Sequence, residues 1–121
     1  MKYTVNTERL LSLFLELVKI NAISRREKPV ADFLIPIMTQ LGASIDFDEA
    51  HLSLNGEIGN MFCKFPGTVT GETLLFSAHM DTVQPTQDLN IVILDDRIMT
   101  DGTTILGADD RAGIAAIIEM I

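Results

Sequence analysis

Tryptophan is absent from this 121-residue chain, cysteine and tyrosine occur once each, and histidine only twice. With aromatic residues at 6% and apolar residues at 47%, the core must be built from Leu, Ile, Val and Met, and there are enough of them for one domain. The lone Cys63 excludes an internal disulfide and fits a reducing compartment, so a cytoplasmic location is expected. Positive charge is scarce too: 9 Lys and Arg stand against 17 Asp and Glu, a formal net charge of −8. No dense basic face can neutralise phosphates, which argues against nucleic acid or an anionic membrane as partner. No apolar run reaches the roughly 18 residues of a membrane span, and the N-terminus lacks the basic-then-apolar layout of a signal peptide. Missing as well are a Gly-x-Ser-x-Gly elbow and a Gly-x-x-x-x-Gly-Lys-Ser/Thr loop. Serine-hydrolase and nucleotide-binding readings therefore have no anchor.

What is present reads in order as helices first and strands later. Asn6 or Thr7 can cap a helix whose buried face is Leu10, Leu11, Phe14, Leu17 and Val18. Ser24-Arg25-Arg26-Glu27 has the form of a capping box, in which Ser and Glu each satisfy a free backbone donor. The helix it would open carries Val30, Phe33, Leu34, Ile37, Met38 and Leu41 on one stripe, with Pro36 on the polar side, and ends at Gly42. From Ser44 the period falls to two, which predicts a strand to Asp48. A hairpin or loop is expected over His51 to Asn60, where Asn55-Gly56 and Gly59-Asn60 signal turns, followed by a strand at Met61 to Phe65. The continuous apolar run Thr73 to Ala78 predicts a strand buried on both faces. Short strands are expected at Ile91 to Leu94 and Arg97 to Thr100. A last helix runs from Asp110 to Ile121, with Ile114, Ile117, Ile118 and Ile121 on one face and Asp109 as its cap. The sequence stops inside that apolar helix, without Gly, Pro or a polar tail, so residues 1–121 are expected to be one part of a longer domain.

Two places carry chemistry. His79 and Asp81 are two apart at the end of the apolar run, where extended backbone points both to one side. Strand ends of this kind are where ligand sites form in open α/β sheets. A metal-bound imidazole carries its proton on the second nitrogen, and a carboxylate that accepts this proton fixes the ring. The bland alternative is a strand-end His beside a surface Asp. Asp109 and Asp110 form the second place, framed by Gly107-Ala108 and Ala112-Gly113, small residues that leave room for close approach. Asp109 could bridge a pair of divalent ions about 3.5–4 Å apart, or simply cap the helix. His51 is a conceivable third ligand but falls in the loop region, where a surface role is expected. Cys63 with His79 would make a thiol hydrolase, but its mid-strand apolar setting suits an inert packing residue.

At these residues a family resemblance emerges. Ser77-Ala78-His79-Met80-Asp81-Thr82-Val83, followed by Asp101-Gly102-Thr103-Thr104-Ile105-Leu106-Gly107-Ala108-Asp109-Asp110-Arg111-Ala112-Gly113-Ile114-Ala115, resembles the amino-terminal part of peptidase T-like zinc aminopeptidases and tripeptidases. These share a co-catalytic metallopeptidase family with aminoacylases and glutamate carboxypeptidases. The likeness extends to Val30-Ala31-Asp32-Phe33-Leu34 and Leu41-Gly42.

The resemblance implies an α/β fold, a mixed β-sheet flanked by helices on both faces. It implies two zinc ions in the complete site, with His79 a ligand of one, Asp109 the carboxylate bridging both, and Asp81 the catalytic partner that holds the His79 ring. It implies short peptides as substrates, cleaved by a hydroxide held between the metals, and a homodimer formed through a domain absent from this chain. Arg111 stands where the family commonly has Lys, and Asp110 has no assigned role. The general base and the remaining ligands are expected beyond Ile121, so the chain alone is expected to have little or no activity. Two other readings remain open: a non-catalytic α/β fragment or interaction domain, and an N-acyl-amino-acid deacylase of the same family.

Overall fold

The computed structural model describes residues 3–121. Helix α1 spans Thr7–Val18, and Asn6 caps it by accepting a hydrogen bond from the Arg9 backbone N–H at 2.9 Å. Helix α2 spans Lys28–Gln40 and carries Pro36 inside it, on the exposed side as the stripe requires. Strand β1 (Ser44–Phe47) and strand β2 (Met61–Lys64) pair antiparallel, Ser44 opposite Lys64 and Phe47 opposite Met61. Strand β3 (Ile91–Ile93) and strand β4 (Ile98–Thr100) form a second antiparallel pair. Helix α4 spans Ala108–Met120.

The expected mixture of helices and strands is present. Among the described residues the strands make two separate two-stranded sheets, and the one parallel contact is an isolated bridge between Ile23 and Thr82.

Three local expectations change. The connection between the paired strands β1 and β2, expected as a hairpin turn or loop, holds a short helix, α3, at Ala50–Leu54. Asn55 closes that helix at φ 54°, and the Gly56 N–H returns to the His51 carbonyl at 3.0 Å. The residues that signal a tight turn also suit a left-handed helix cap, which is the use made of them here. Ser24 does not cap α2; Glu27 occupies the cap position without a side-chain cap bond, and the Glu27 carboxylate accepts from the Arg25 N–H at 2.6 Å instead. Thr73 to Ala78 form no strand. Among the described residues no neighbour offers a ladder, and Leu74, Leu75 and Phe76 stay 78%, 87% and 55% exposed. An apolar run states a demand for burial, and a strand also needs a partner edge.

The core lies between the helices. Leu17 of α1, Ala22, Val30 and Leu34 of α2, and Ile114 and Ala115 of α4 form one buried cluster. Ala78 and Met80 pack against it from the segment that carries His79. The far ends of α1 and α4 are clamped by Glu119, which accepts from both Nε and Nη2 of Arg9 at 2.8 Å and from the Asn6 N–H at 2.6 Å. The helix pair is thus a stiff frame, and the chemistry-bearing segment lies on its edge.

Candidate metal centre

Two loops and the start of α4 meet at His79. The first loop, Asn21 to Ser24, follows α1 and grips the segment after His79 at three points. The Thr82 N–H donates to the Ala22 carbonyl at 2.9 Å, and the Thr86 N–H donates to Asn21 Oδ1 at 2.9 Å. Ser24 Oγ donates to Asp81 Oδ2. Thr82 is buried, 2% exposed, so this seam is part of the frame and is not a surface accident.

Gly107 brings α4 to the same place. Its φ is +76°, and a Cβ there would stand 3.0 Å from Thr82 Cγ2 and 3.3 Å from Thr86 Cγ2. Glycine is required both for the left-handed backbone and for the close approach. Asp109 and Asp110 follow with non-helical torsions and a cis peptide bond between them. Asp110 Oδ1 accepts from the Gly113 N–H at 3.1 Å, so Asp110 does the capping and Asp109 does not. The expected cap is displaced by one residue, and Asp109 is left to face the histidine.

His79 is then enclosed by carboxylates on both sides. Its Nδ1 lies 3.0 Å from Asp81 Oδ1 and 3.0 Å from the Asp81 carbonyl oxygen; its Nε2 lies 2.9 Å from Asp109 Oδ1. A neutral imidazole has one N–H and can satisfy one of these sides. The other side sets a nitrogen lone pair against a carboxylate, an arrangement that calls for a positive species between them, either a second proton or a metal ion. Imidazole nitrogen and carboxylate oxygen are ordinary zinc ligands, so the donor chemistry fits that ion.

The charges respond accordingly. Burial pulls the His79 pKa down, but its hydrogen bonds to Asp109 and Asp81 and their charges outweigh this and raise it above 6.5. The Ser24 hydrogen bond is the main cause holding the Asp81 carboxyl below 3.8, opposed by burial and helped by His79.

Arg111 lies beneath this group. It is fully buried, and Nη1 donates to the Leu17 carbonyl at the end of α1 while Nε and Nη2 have no hydrogen-bond partner among the described residues. Burial lowers its pKa, and the Asp81 charge acts in the opposite sense. Its burial was not foreseen in the sequence, although Arg111, Ile114, Ala115 and Ile118 fall on one helical face, the signal that could have shown it. Ser24 gave no such signal, because its spacing to Glu27 imitates a cap.

The other candidates separate from the centre. His51 lies in α3 with its Nδ1 enclosed and unpartnered, so it is partly buried and not a surface side chain. Cys63 sits in β2 opposite Ile45, and burial pushes its thiol pKa up, away from the thiolate a nucleophile needs. Among the described residues no group of three or more His, Cys, Asp or Glu side chains is placed to hold a metal.

The fold and this site together define a piece of an α/β domain with a His–Asp–Asp cluster at its edge, and comparison with known proteins makes the relationship specific. A peptidase T of Aliivibrio salmonicida is 34% identical over 132 aligned positions, covering 96% of this chain. YqjE of Bacillus subtilis, an uncharacterised protein, is 40% identical over 117 residues, covering 97% of it. A crystal structure of a tripeptidase from Staphylococcus aureus matches with a TM-score of 0.90 at 38% identity, over 97% of this chain. One of an aminopeptidase PepT from Bacillus cereus matches with a TM-score of 0.90 at 39% identity, over 95% of it. In sequence and in fold the chain is a relative of the peptidase T-like tripeptidases and aminopeptidases. It spans about a third of the length of the curated relatives it matches, 32% and 31%. No family model matches the chain.

Proposed function

We propose that this chain supplies part of the active site of a zinc-dependent peptidase acting on short peptides at one end, of the tripeptidase or aminopeptidase kind. The observation that carries the reading is His79 held between Asp81 and Asp109, an arrangement that a neutral ring cannot satisfy on both sides without a second proton or a metal ion. The names of the relatives, peptidase T, tripeptidase and aminopeptidase, support the substrate class.

In this reading His79 Nε2 and Asp109 are ligands, and Asp109, exposed along most of its carboxylate, has a second oxygen free for a second ion. Asp81 accepts the Nδ1 proton and keeps the ring in place. Asp110 holds the first turn of α4 so that Asp109 points outward. His79 and Asp109 would hold a zinc that could polarise a peptide carbonyl as a Lewis acid and acidify a water.

Structural and catalytic zinc sites use three or more protein ligands, and this chain offers two. The remaining ligands and the general base therefore come from outside these 121 residues, and the chain alone hydrolyses peptides little or not at all. A cytoplasmic location accompanies this reading, consistent with the single free Cys63. The test is hydrolysis of a tripeptide by the chain. Turnover abolished by a chelator and by His79→Ala would overturn the claim that the site is incomplete.

The absence of a three-ligand group among the described residues favours a second reading, a domain that keeps the fold without the chemistry. Zinc titration separates the two, because only the first predicts zinc binding that depends on His79 and Asp109.

A further inference from the structure

The hydroxyl of Ser24 is spent in an unexpected place. A Ser three residues before a Glu at the start of a helix ordinarily serves the helix, yet α2 begins without a side-chain cap and Ser24 Oγ donates to Asp81 Oδ2. This leaves Asp81 Oδ1 for His79 Nδ1. The loop that presents Ser24 is itself fixed by the Thr82–Ala22 and Thr86–Asn21 hydrogen bonds, so the hydroxyl approaches Asp81 from a rigid position.

The two nitrogens of His79 compete for one proton. Nδ1 faces two acceptors, the carboxylate and the carbonyl of Asp81, whereas Nε2 faces one, Asp109. The Asp81 side chain is 25% exposed and that of Asp109 is 94% exposed, so water screens the second contact more strongly. The proton therefore belongs on Nδ1, opposite to the preference of free histidine, provided that Asp81 keeps its orientation. A carboxylate held at one oxygen only can rotate away; one held at both cannot.

We infer that Ser24 is a positioning residue, the outer end of a Ser24–Asp81–His79 relay that keeps the His79 proton on Nδ1 and leaves Nε2 as a lone-pair donor toward a metal. The inference rests on the proposed metal site only for its purpose; the proton placement is a property of the metal-free chain.

Two measurements test it. Ring ¹⁵N shifts of His79, read in the metal-free protein at a pH where the ring is neutral, report which nitrogen is protonated. Wild type and Ser24→Thr show Nδ1–H, and Ser24→Ala moves toward Nε2–H. Zinc affinity, read by competition with a chromophoric chelator, falls about 10-fold in Ser24→Ala, the low end of what losing an outer-shell partner costs. In an Asp81→Ala background Ser24→Ala adds nothing further. An unchanged tautomer in Ser24→Ala overturns the inference. So does an equal additional loss of affinity without Asp81, since Ser24 would then act by some other route. Failure of the wild-type chain to bind zinc at all counts against the proposed function, while the tautomer measurement still decides the role of Ser24.

Discussion

Replacing Gly113 by Ala sets two effects of similar size against each other. Gly113 lies inside α4, where alanine is favoured over glycine by about 0.8–1.0 kcal/mol. A Cβ at this position, however, would stand 2.2 Å from Asp110 Oδ1, far inside contact distance. The atom it meets is the end of a side chain, so Asp110 can rotate away, but it then loses its hydrogen bond to the Gly113 N–H. Loss of a cap costs about 0.5–2 kcal/mol, typically about 1. Gly113→Ala is therefore expected to be close to neutral, within about 1 kcal/mol of wild type by these two magnitudes. In an Asp110→Ala background there is no cap to lose, and the same substitution should stabilise by the full helix-propensity gain of about 1 kcal/mol. Urea unfolding of the four proteins gives the coupling as a double-mutant cycle, expected at about 1 kcal/mol. Additive effects would show that Asp110 does not cap α4. A loss above about 3 kcal/mol for Gly113→Ala alone would show that the side chain cannot move and that the clash is carried by the backbone.

Two further outcomes follow from the frame that holds the site. Leu17 is fully buried between α1, α2 and α4, so Leu17→Ala should lower the unfolding free energy by about 3–4 kcal/mol with an unchanged urea m-value. A loss below about 1 kcal/mol would mean that the helices do not pack as described. The hydrogen bond from the Arg9 guanidinium first, then that from the Asn6 N–H, with a smaller part from the Arg9 charge, hold the Glu119 carboxyl below its ordinary 4.5. A carboxyl depressed in the folded state contributes stability that is present above pH 4.5 and lost as pH falls through the lower folded value. Glu119→Gln should therefore flatten the acid limb of the stability profile and leave the region above pH 6 parallel to wild type; an unaltered acid limb would remove Glu119 from the account.

Local pattern was enough for much of the fold. The apolar spacing of Leu10, Phe14 and Leu17 and the Asn6 cap define α1, and the stripe Val30, Leu34 and Met38 defines α2, because helix period and end chemistry are both local. Alternation placed β1 and β2 within a residue or so. What failed depended on distant partners or on ambiguous chemistry. Leu74 to Phe76 have the hydrophobicity of a buried strand but no edge to join. Asn55-Gly56 suits a hairpin and a helix end equally well, and the protein uses it for the latter. At the site, the two motifs alone left a strand-end His and a helix cap as alternatives; the family resemblance implied the grouping of His79 and Asp81 with Asp109, and the three side chains do lie together. That Asp110 and not Asp109 does the capping was not legible, because either carboxylate can cap and only the folded backbone shows which one reaches the Gly113 N–H. Ser24 was hidden for the same reason: a hydroxyl near a helix start has two customers, and only the folded loop shows which one it serves.

The central claim is that His79 and Asp109 jointly hold a metal. Zinc titration of the wild-type chain, His79→Ala and Asp109→Ala, read by calorimetry or chelator competition, tests it most directly. The account predicts weak binding of one zinc by wild type, as two protein ligands allow, and its loss in both variants. Zinc binding that survives both substitutions, or tight binding of two ions by these 121 residues, would contradict it.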